Sequence, residues 1–418
     1  LKYFGSSDEK VKLLNDVKGS RYTALANIQS REFDAPIEYV SLKPKYSLGN
    51  NNKLKVSIKG TSSGSTEVTK SYTFTRNSHL VEVQQLVKNI SNKKIEWRQY
   101  NTLSRGEETE GNVMLYTYTG AAYFDSEDKF NKIDFSDIED ESFQKVVKTS
   151  WISMIQHYFF TAWLPSGRGS DKKTIYTRLL SEDNKNSYQI GSVDNYIALS
   201  PGETYSFDSK LYIGPKVQAE ITDLAPGLAL TVDYGFLTFL AAPLFWILEK
   251  IHLIFGNWGW SIIMLTILIK IVFFKLSEAS YKSMAKMKKL TPRMTALKER
   301  YGDDKKQFSE ALMKIYKEEK VNPLGGCLPI LIQIPVFIAL YWVIIESVEM
   351  RHAPFIGWVV DLSSADPLYI LPVLMGVSMY AQQKLNPAPT DPMQAKIFLA
   401  LPFVFTFLFA TFPSGLVL

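Results

Sequence analysis

Hydrophobic and polar residues alternate with a period of two through the first half of the chain. This alternation predicts β-strands at 54–59, 68–74 and 206–213, separated by turn clusters such as 49–52. A short helix is expected near 216–224, and together these elements predict a large antiparallel β-sandwich over residues 1–225. The aromatic run at 151–159 favours a buried strand, although a carbohydrate-binding platform is the alternative interpretation.

The second half of the chain holds nearly all the long apolar runs. Residues 233–252 predict an amphipathic helix at the membrane interface, because the uninterrupted apolar part is short and Trp246, Glu249 and Lys250 form a polar margin. A membrane core is expected over 254–418, and its predicted spans are 258–276, 324–347, 368–384 and 397–412. The pattern therefore predicts a soluble domain followed by a polytopic membrane domain.

A basic segment at 277–322 separates the first two predicted spans. Apolar residues at three-to-four spacing, including Met284 and Met287, predict a helical hairpin whose methionines form the seam or an adaptable binding surface. Asp303 and Asp304 supply the turn and helix-capping signal between its two helices. The segment carries 12 Lys or Arg against 7 Asp or Glu. The positive-inside rule then places it in the cytoplasm and the β-domain on the opposite side of the membrane.

Lys270 is the single Asp, Glu, Lys or Arg between Ile251 and Phe274. A lysine at the centre of a membrane helix costs ~2.5–3.5 kcal/mol on insertion scales, so its presence needs a reason. It could extend toward the headgroups, or it could belong to a polar site inside the membrane. Thr266 lies one helical turn away on the same face, and Gln333 is an amide in the next apolar span. Sequence leaves both interpretations open, since it does not show whether these residues cluster.

Composition excludes several kinds of site. The single cysteine, Cys327, excludes an intrachain disulfide, and the four histidines lack metal-ligand spacing. We see no Gly-rich phosphate loop and no nucleophile with a base at motif spacing, so we expect neither a cofactor nor an enzyme. The net charge of +5 lies in one segment, which argues against direct nucleic-acid binding. Two alternatives remain, a secondary transporter and a membrane-tethered carbohydrate-binding protein with His79 or His157 in its cleft.

Specific motifs resemble the YidC membrane-protein insertase family of Gram-negative bacteria. They run through the whole chain: GAAY at 120–123, FTAW at 160–163, NWG at 257–259, SMAKM at 283–287, GDDK at 302–305, EKVNPLGGCLP at 319–329, APF at 353–355, DLS at 361–363, YILP at 369–372, DPM at 391–393 and FPSGLVL at 412–418. The expected fold is thus a polytopic α-helical membrane protein with an N-terminal all-β periplasmic domain, a β-supersandwich. We also expect the first transmembrane helix and nearly all of the last to lie outside this sequence.

The resemblance implies an insertase and chaperone of the bacterial inner membrane. Its groove would be hydrated, open to the cytoplasm and to lipid, and lined by Lys270, Thr266 and Gln333, with lysine where the family usually has arginine. The substrate's apolar helix would follow Ile330, Ile334, Phe337, Phe409 and Phe412. The implied partners are nascent membrane proteins such as ATP synthase subunit c, the Sec translocon SecYEG with SecDF, the ribosome or signal recognition particle system, and the lipid bilayer.

Overall fold

The chain folds into two structural units, and the boundary between them lies between Asp233 and Tyr234. The computed structural model describes residues 11–17, 21–33, 37–62, 64–106, 117–148, 150–165, 172–182, 185–301, 304–319, 328–385 and 392–418. We call the part before the division the β-unit and the part after it the helical unit.

The β-unit is built from antiparallel strands in two sheets. The strands are β1 Tyr22–Ser30, β2 Glu38–Ser41, β3 Lys53–Ser62, β4 Thr66–Thr75, β5 Leu80–Asn89, β6 Ile95–Gly106, β7 Gly120–Asp125, β8 Lys129–Ile133, β9 Gln144–Lys148, β10 Trp151–Ile155, β11 Phe159–Leu164, β12 Lys172–Glu182, β13 Lys185–Asp194, β14 Ile197–Leu199 and β15 Thr204–Pro215. One sheet has the order β1-β6-β13-β12-β9, with β14 also on β6, and the other has the order β2-β3-β4-β5-β15-β11-β10-β7-β8.

The two sheets pack face to face over two clusters of buried apolar residues. Leu103, Ile175 and Ile190 from the six-stranded sheet contact Ile152 and Met154 from the nine-stranded sheet, and all five side chains are at most 1% exposed. The predicted sandwich is confirmed, and the three predicted strands lie within β3, β4 and β15. The aromatic run at 151–159 begins in β10 and ends in β11, and every residue of these two strands is buried. Residues 156–158 form the half-buried connection between the strands.

The described chain also contains α-helices. They are α1 Phe135–Asp140 and α2 Gln218–Ile221 in the β-unit, and α3 Thr238–Phe255, α4 Trp258–Val272, α5 Phe274–Tyr301, α6 Lys305–Glu318, α7 Leu328–Glu346, α8 Ile370–Leu385, α9 Pro392–Phe409 and α10 Ser414–Val417 in the helical unit. Our expected helix at 216–224 is the single turn α2.

The first predicted span is shorter than its apolar run. Helix α4 ends at Val272, and α5 leaves it at an angle of 62°. Residues 273–276 therefore belong to the bend and to the next helix, so the expected span of 258–276 is not one straight helix. The bounds of the hairpin at 277–322 stay a prediction. The apolar run continues through the bend from Ile271 to Phe274, so the bend left no signal in the pattern of apolar residues.

Helix length and composition test the other predicted spans. Among the described residues, the straight helix long and apolar enough to cross a membrane is Gly235–Phe255, which includes α3, and the bent pair α4 and α5 qualifies together. The helices at Leu331–Glu346 and Lys396–Phe409 are apolar but shorter. The segment that we predicted to lie along the membrane surface is thus long enough to span it.

The connection between α7 and α8 is a hydrogen-bonded loop. Asp366 accepts hydrogen bonds from the indole of Trp358 at 2.9 Å and from the backbone N–H of Leu371 at 2.7 Å. The Asn257 amide donates to the carbonyls of Pro354 and Phe355, both at 3.1 Å. These bonds fix the loop to the N-terminus of α4.

Candidate functional site

The N-terminal end of α4 is firmly anchored. Asn257 caps the helix, because its side-chain oxygen accepts a hydrogen bond from the backbone N–H of Trp260 at 3.2 Å. The preceding helix ends at Gly256, whose φ of +65° suits glycine. Trp258 stacks on His252 with ring centroids 3.8 Å apart and an interplanar angle of 5°. The orientation of α4, and so the position of its polar residues, is fixed from this end.

Lys270 lies in the last turn of α4, two residues before the helix ends. The last carbonyl groups of a helix lack intrahelical partners and carry partial negative charge, so a cation is favourable there. Lys275, the other candidate for a headgroup contact, lies beyond the bend on α5. This position gives Lys270 a physical reason to remain in an apolar helix without an acidic partner.

Thr266, Lys270 and Gln333 come together between α4 and α7. They line one small cavity with Phe337, and the Lys270 Nζ lies 5.6 Å from the centroid of the Phe337 ring. Gln333 is 9% exposed, whereas Lys270 is exposed, and within the described residues Lys270 forms no ion pair. The cavity volume of about 20 Å³ accommodates roughly one water. Three polar side chains therefore meet at one small cavity, whose remaining lining residues are the apolar Ile269, Val336, Phe337 and Leu340.

The apolar residues expected to guide a substrate form two groups. Ile334 and Phe337 are 43% and 53% exposed on α7, and Phe337 also touches the polar cluster. Phe409 is the last residue of α9 and Phe412 lies in the turn that follows, with their ring centroids 5.1 Å apart. The side chain of Ile330 lies outside the described residues.

Tyr341 connects these two apolar groups and was missed by sequence reasoning. It lies one helical turn beyond Phe337 on α7, and its ring centroid is 6.4 Å from that of Phe412. The spacing of four residues from Phe337 was visible in the sequence. The contact with Phe412, in the turn after α9, depends on how distant parts of the chain pack, and no local pattern contains it.

The hairpin residues lie in a separate place, in α5 and α6. Met287 packs against the buried pair Leu290 and Met294 in the seam between the two helices. Asp304 caps α6, accepting hydrogen bonds from the backbone N–H groups of residues 306 and 307 at 3.0 Å each. Asp303 and the side chain of Met284 lie outside the described residues. Met287 thus stabilises the hairpin itself.

Comparison with known proteins places the two units in one family. Residues 1–247 match the family model described as the YidC periplasmic domain, and residues 250–418 match the model described as the 60Kd inner membrane protein. The chain belongs to the YidC family. It is accordingly an inner-membrane protein with a periplasmic domain, as the motifs predicted.

Curated relatives in the YidC family extend beyond this chain. A protein of Thioalkalivibrio sulfidiphilus named membrane protein insertase YidC is 53% identical over 368 residues, which are 88% of this chain and 65% of that protein. A Legionella pneumophila protein of the same name is 47% identical over 422 residues, 97% of this chain and 74% of that protein. The chain spans slightly less than two thirds of the first relative. Both names describe membrane insertion and no enzymatic reaction.

A solved YidC structure also matches. It is described as an active YidC insertase crystal structure with the first transmembrane domain resolved, and it is 20% identical with a TM-score of 0.43. The match covers 99% of this chain and 83% of that chain.

The histidines of the β-unit do not form the cleft that a tethered sugar enzyme would need. His79 Nδ1 lies 3.2 Å from Glu220 Oε2, and His157 stacks on Tyr158. Neither histidine, nor Glu220, lines the large cleft of the β-unit. The described residues also contain no group of three His, Cys, Asp or Glu side chains that could hold a metal ion.

Proposed function

We propose that this protein is a membrane insertase whose working cation is Lys270. The observation that carries the proposal is the pocket between α4 and α7, where the exposed Lys270 ammonium lies beside Thr266 and the buried amide Gln333. A charged side chain costs ~2.5–3.5 kcal/mol inside a bilayer, so ionisable residues within membrane helices usually mark functional sites. The names of the relatives, membrane protein insertase, support the same function.

The pocket would act by attracting the polar tail of an incoming chain. A lysine that forms no ion pair within the described residues is available to an acidic side chain, and a charge-assisted hydrogen bond is worth ~1.5–3 kcal/mol. The pocket volume of about 20 Å³ is too small for such a tail. An acidic tail could reach the exposed Lys270 without entering this cavity. Bringing the tail beside Gln333 would require α4 and α7 to separate, which would admit water and lower the cost of carrying polar groups into the membrane.

The apolar helix of the substrate would then move into lipid along α7 and α9. Ile334 and Phe337 begin this route next to Lys270, Tyr341 continues it, and Phe409 with Phe412 ends it. Burial of a substrate helix in lipid supplies the driving force, so the step needs no ATP. Ile330 extends the same route by sequence position alone.

Charge distribution supports one orientation in the membrane. The excess of basic residues in 277–322 supports a cytoplasmic hairpin and a periplasmic β-unit. Helix α3 suits the periplasmic interface, because the exposed Lys250 lies 5.8 Å from the ring of the exposed Trp246. The neighbouring Glu249 is half-buried.

The partners of the proposed insertase follow from the family resemblance. They are nascent membrane proteins such as ATP synthase subunit c, the translocon components SecYEG and SecDF, and the ribosome or signal recognition particle system. The hairpin suits the last of these, since its helices expose basic side chains such as Lys286 of α5 and Lys314 of α6.

The test is insertion of a single-span substrate with an acidic periplasmic tail by purified variants in liposomes. Lys270→Ala should reduce the insertion rate at least fivefold, because it removes an attraction of ~1.5–3 kcal/mol. Lys270→Arg should retain most of the rate, since it keeps the charge. The matched control is Lys275→Ala, which removes an exposed lysine from the far side of the bend and should leave insertion unchanged.

Two results would contradict the proposal. Normal insertion by Lys270→Ala would remove Lys270 from the mechanism. Equal losses in Lys270→Ala and Lys275→Ala would show that only the basic character of this end of the helix matters.

A further inference from the structure

A cleft of about 1100 Å³ lies on the six-stranded sheet of the β-unit. The side chains that line it from β6 are Arg98, Tyr100 and Thr102, which alternate with residues such as Leu103 that point into the core between the sheets. Small-molecule sites usually occupy roughly 300–1,000 Å³, so this cleft has room for several linked rings. The proposed insertion route uses none of its residues.

The floor of the cleft is formed by residues that lie opposite one another on neighbouring strands, in rows that cross the sheet. In one row Asn27 pairs with Tyr100, and Tyr100 pairs with Val193. In the next row Thr102 pairs with Gly191, and Gly191 pairs with Tyr176. Neighbouring strands are ~4.8 Å apart, so each row places side chains at regular intervals across the sheet.

Gly191 makes room for a flat aromatic surface. A Cβ at this position would overlap the ring of Tyr176 on the neighbouring strand. The absence of a side chain therefore lets the Tyr176 ring lie across β13, against the sheet. Tyr100 and Tyr196 line the same cleft, so aromatic rings recur along it.

Polar groups and two guanidinium groups complete the lining. Arg98 donates hydrogen bonds to Gln29 Oε1 at 3.0 and 2.7 Å and lies 4.5 Å from the Tyr196 ring centroid, while Arg178 lies 4.9 Å from that of Tyr176. In the part of the chain that the structure describes, neither arginine forms an ion pair with a carboxylate. The one acidic residue of the lining, Asp194, is paired with Lys173 at 3.1 Å. The cleft therefore carries uncompensated positive charge.

We propose that this cleft binds a short acidic oligosaccharide. A pyranose ring has an apolar C–H face that packs on a tyrosine ring and hydroxyl groups at its rim that bond to amides such as Gln29 and Gln189. A sugar carboxylate or phosphate would pair with the guanidinium groups of Arg98 and Arg178. The same geometry disfavours an extended peptide, because peptides add to the free edge of a sheet, and this cleft lies on a face whose backbone groups are already paired.

Isothermal titration calorimetry on the full chain in detergent tests the proposal. Tri-galacturonic acid is the acidic probe, maltotriose is the uncharged probe, and tetraglutamate is the acidic peptide. We expect saturable binding of tri-galacturonic acid, with maltotriose and tetraglutamate at least tenfold weaker. Arg98→Gln combined with Arg178→Gln should reduce the affinity for tri-galacturonic acid to that for maltotriose.

Ring and charge variants separate binding from folding. Tyr176→Ala should weaken tri-galacturonic acid binding at least tenfold, and Tyr176→Phe should retain it, because the stacking ring remains. Lys55→Ala removes an exposed lysine from β3 in the other sheet and should change nothing. No saturable binding of tri-galacturonic acid would overturn the proposal, and so would equal affinities for the two sugars or equal binding of tetraglutamate. The outcome is independent of insertase activity.

Discussion

The β-unit and the helical unit carry opposite kinds of cavity. The cleft of the β-unit, about 1100 Å³, is lined by tyrosine, amide and guanidinium groups. The helical unit has a cavity of about 490 Å³ between α8 and α9, and its lining is almost entirely apolar, including Pro372, Val373, Phe403 and Phe407. Each unit thus presents to its surroundings the chemistry of the medium it contacts, water in one case and lipid in the other.

Two lysines make the same contrast at the level of single residues. Lys70 of β4 is 6% exposed between the sheets, donates to the carbonyl of Ala26 and lies within 6 Å of the rings of Tyr39 and Tyr72. Lys270 is exposed and has one ring, Phe337, at a similar distance. A lysine enclosed on all sides serves the fold, whereas a lysine left accessible in an apolar helix is available to a substrate.

Replacing an aromatic residue by alanine should produce the largest difference in lost stability between the two units. Trp151 of β10 is 2% exposed, stacks on Phe124 and donates to the carbonyl of Pro226 at 2.9 Å, so Trp151→Ala should destabilise the β-unit by ~3–5 kcal/mol. Phe407 of α9 is 83% exposed, so Phe407→Ala should cost less than about 0.5 kcal/mol. Urea unfolding followed by near-UV circular dichroism measures both. Similar losses would show that the exposed face of α9 is packed against protein.

Local pattern predicted the elements better than it predicted their contacts. The alternation at 54–59 and 68–74 placed two strands correctly, because the period of two follows from the pleat of a single strand. The bend after Val272 was missed, since apolar residues continue on both sides of it. The hydrogen-bonded loop after α7 was also missed, because its bonds join Asn257 to residues almost 100 positions away.

The candidate site was predictable in part for the same reason. Lys270 was identifiable from one charge in an apolar run, and Thr266 from its distance of one helical turn. The meeting of both with Gln333 and Phe337 depends on the packing of α4 against α7. The sugar-binding cleft that we propose left no local signal at all, because its rows run across four strands whose register is set by the whole sheet.

Stability of the β-unit should rise with pH because of Lys70. Burial lowers the pKa of Lys70 from 10.5 to about 8. Between these values the unfolded chain binds the proton and the folded chain does not, so raising the pH favours folding. The gain between pH 7 and 9.5 should be ~2 kcal/mol.

Urea unfolding of wild type and Lys70→Met at pH 7, 8, 9 and 9.5 checks this dependence. Lys70→Met should lose the rise in stability with pH while keeping normal insertion. Lys270→Met should keep the rise in stability with pH and lose insertion. The series ends at pH 9.5 because burial raises the pKa of Tyr22 and of Tyr39 to about 12, which destabilises the fold once unfolded tyrosines ionise near pH 10. A flat profile for wild type would mean that the Ala26 carbonyl and the tyrosine rings fully offset the burial of the Lys70 charge.

The Asn257 side chain should stabilise the N-terminal end of α4 by ~1–2 kcal/mol, because it caps the helix and bonds to the loop between α7 and α8. Hydrogen exchange should be faster in Asn257→Ala at two amides, that of Trp260 and that of Phe355, whose N–H donates to the carbonyl of Val359 at 2.9 Å. Asn257→Asp keeps the acceptor but loses the donor, so it should affect Phe355 alone. Faster exchange at Trp260 in the aspartate variant would contradict the assigned capping role.

Loss of the Asp304 side chain at the start of α6 should have the smallest of these effects on stability. Its carboxylate accepts from the backbone N–H groups of residues 306 and 307, and loss of such a cap costs ~1 kcal/mol. Asp304→Ala should therefore accelerate exchange of the Gln307 amide about fivefold, since 1.4 kcal/mol corresponds to a factor of ten. Asp304→Asn keeps an acceptor oxygen and should exchange nearly as slowly as wild type. An equal acceleration in both variants would assign the effect to the negative charge at the helix N-terminus instead of to the hydrogen bonds.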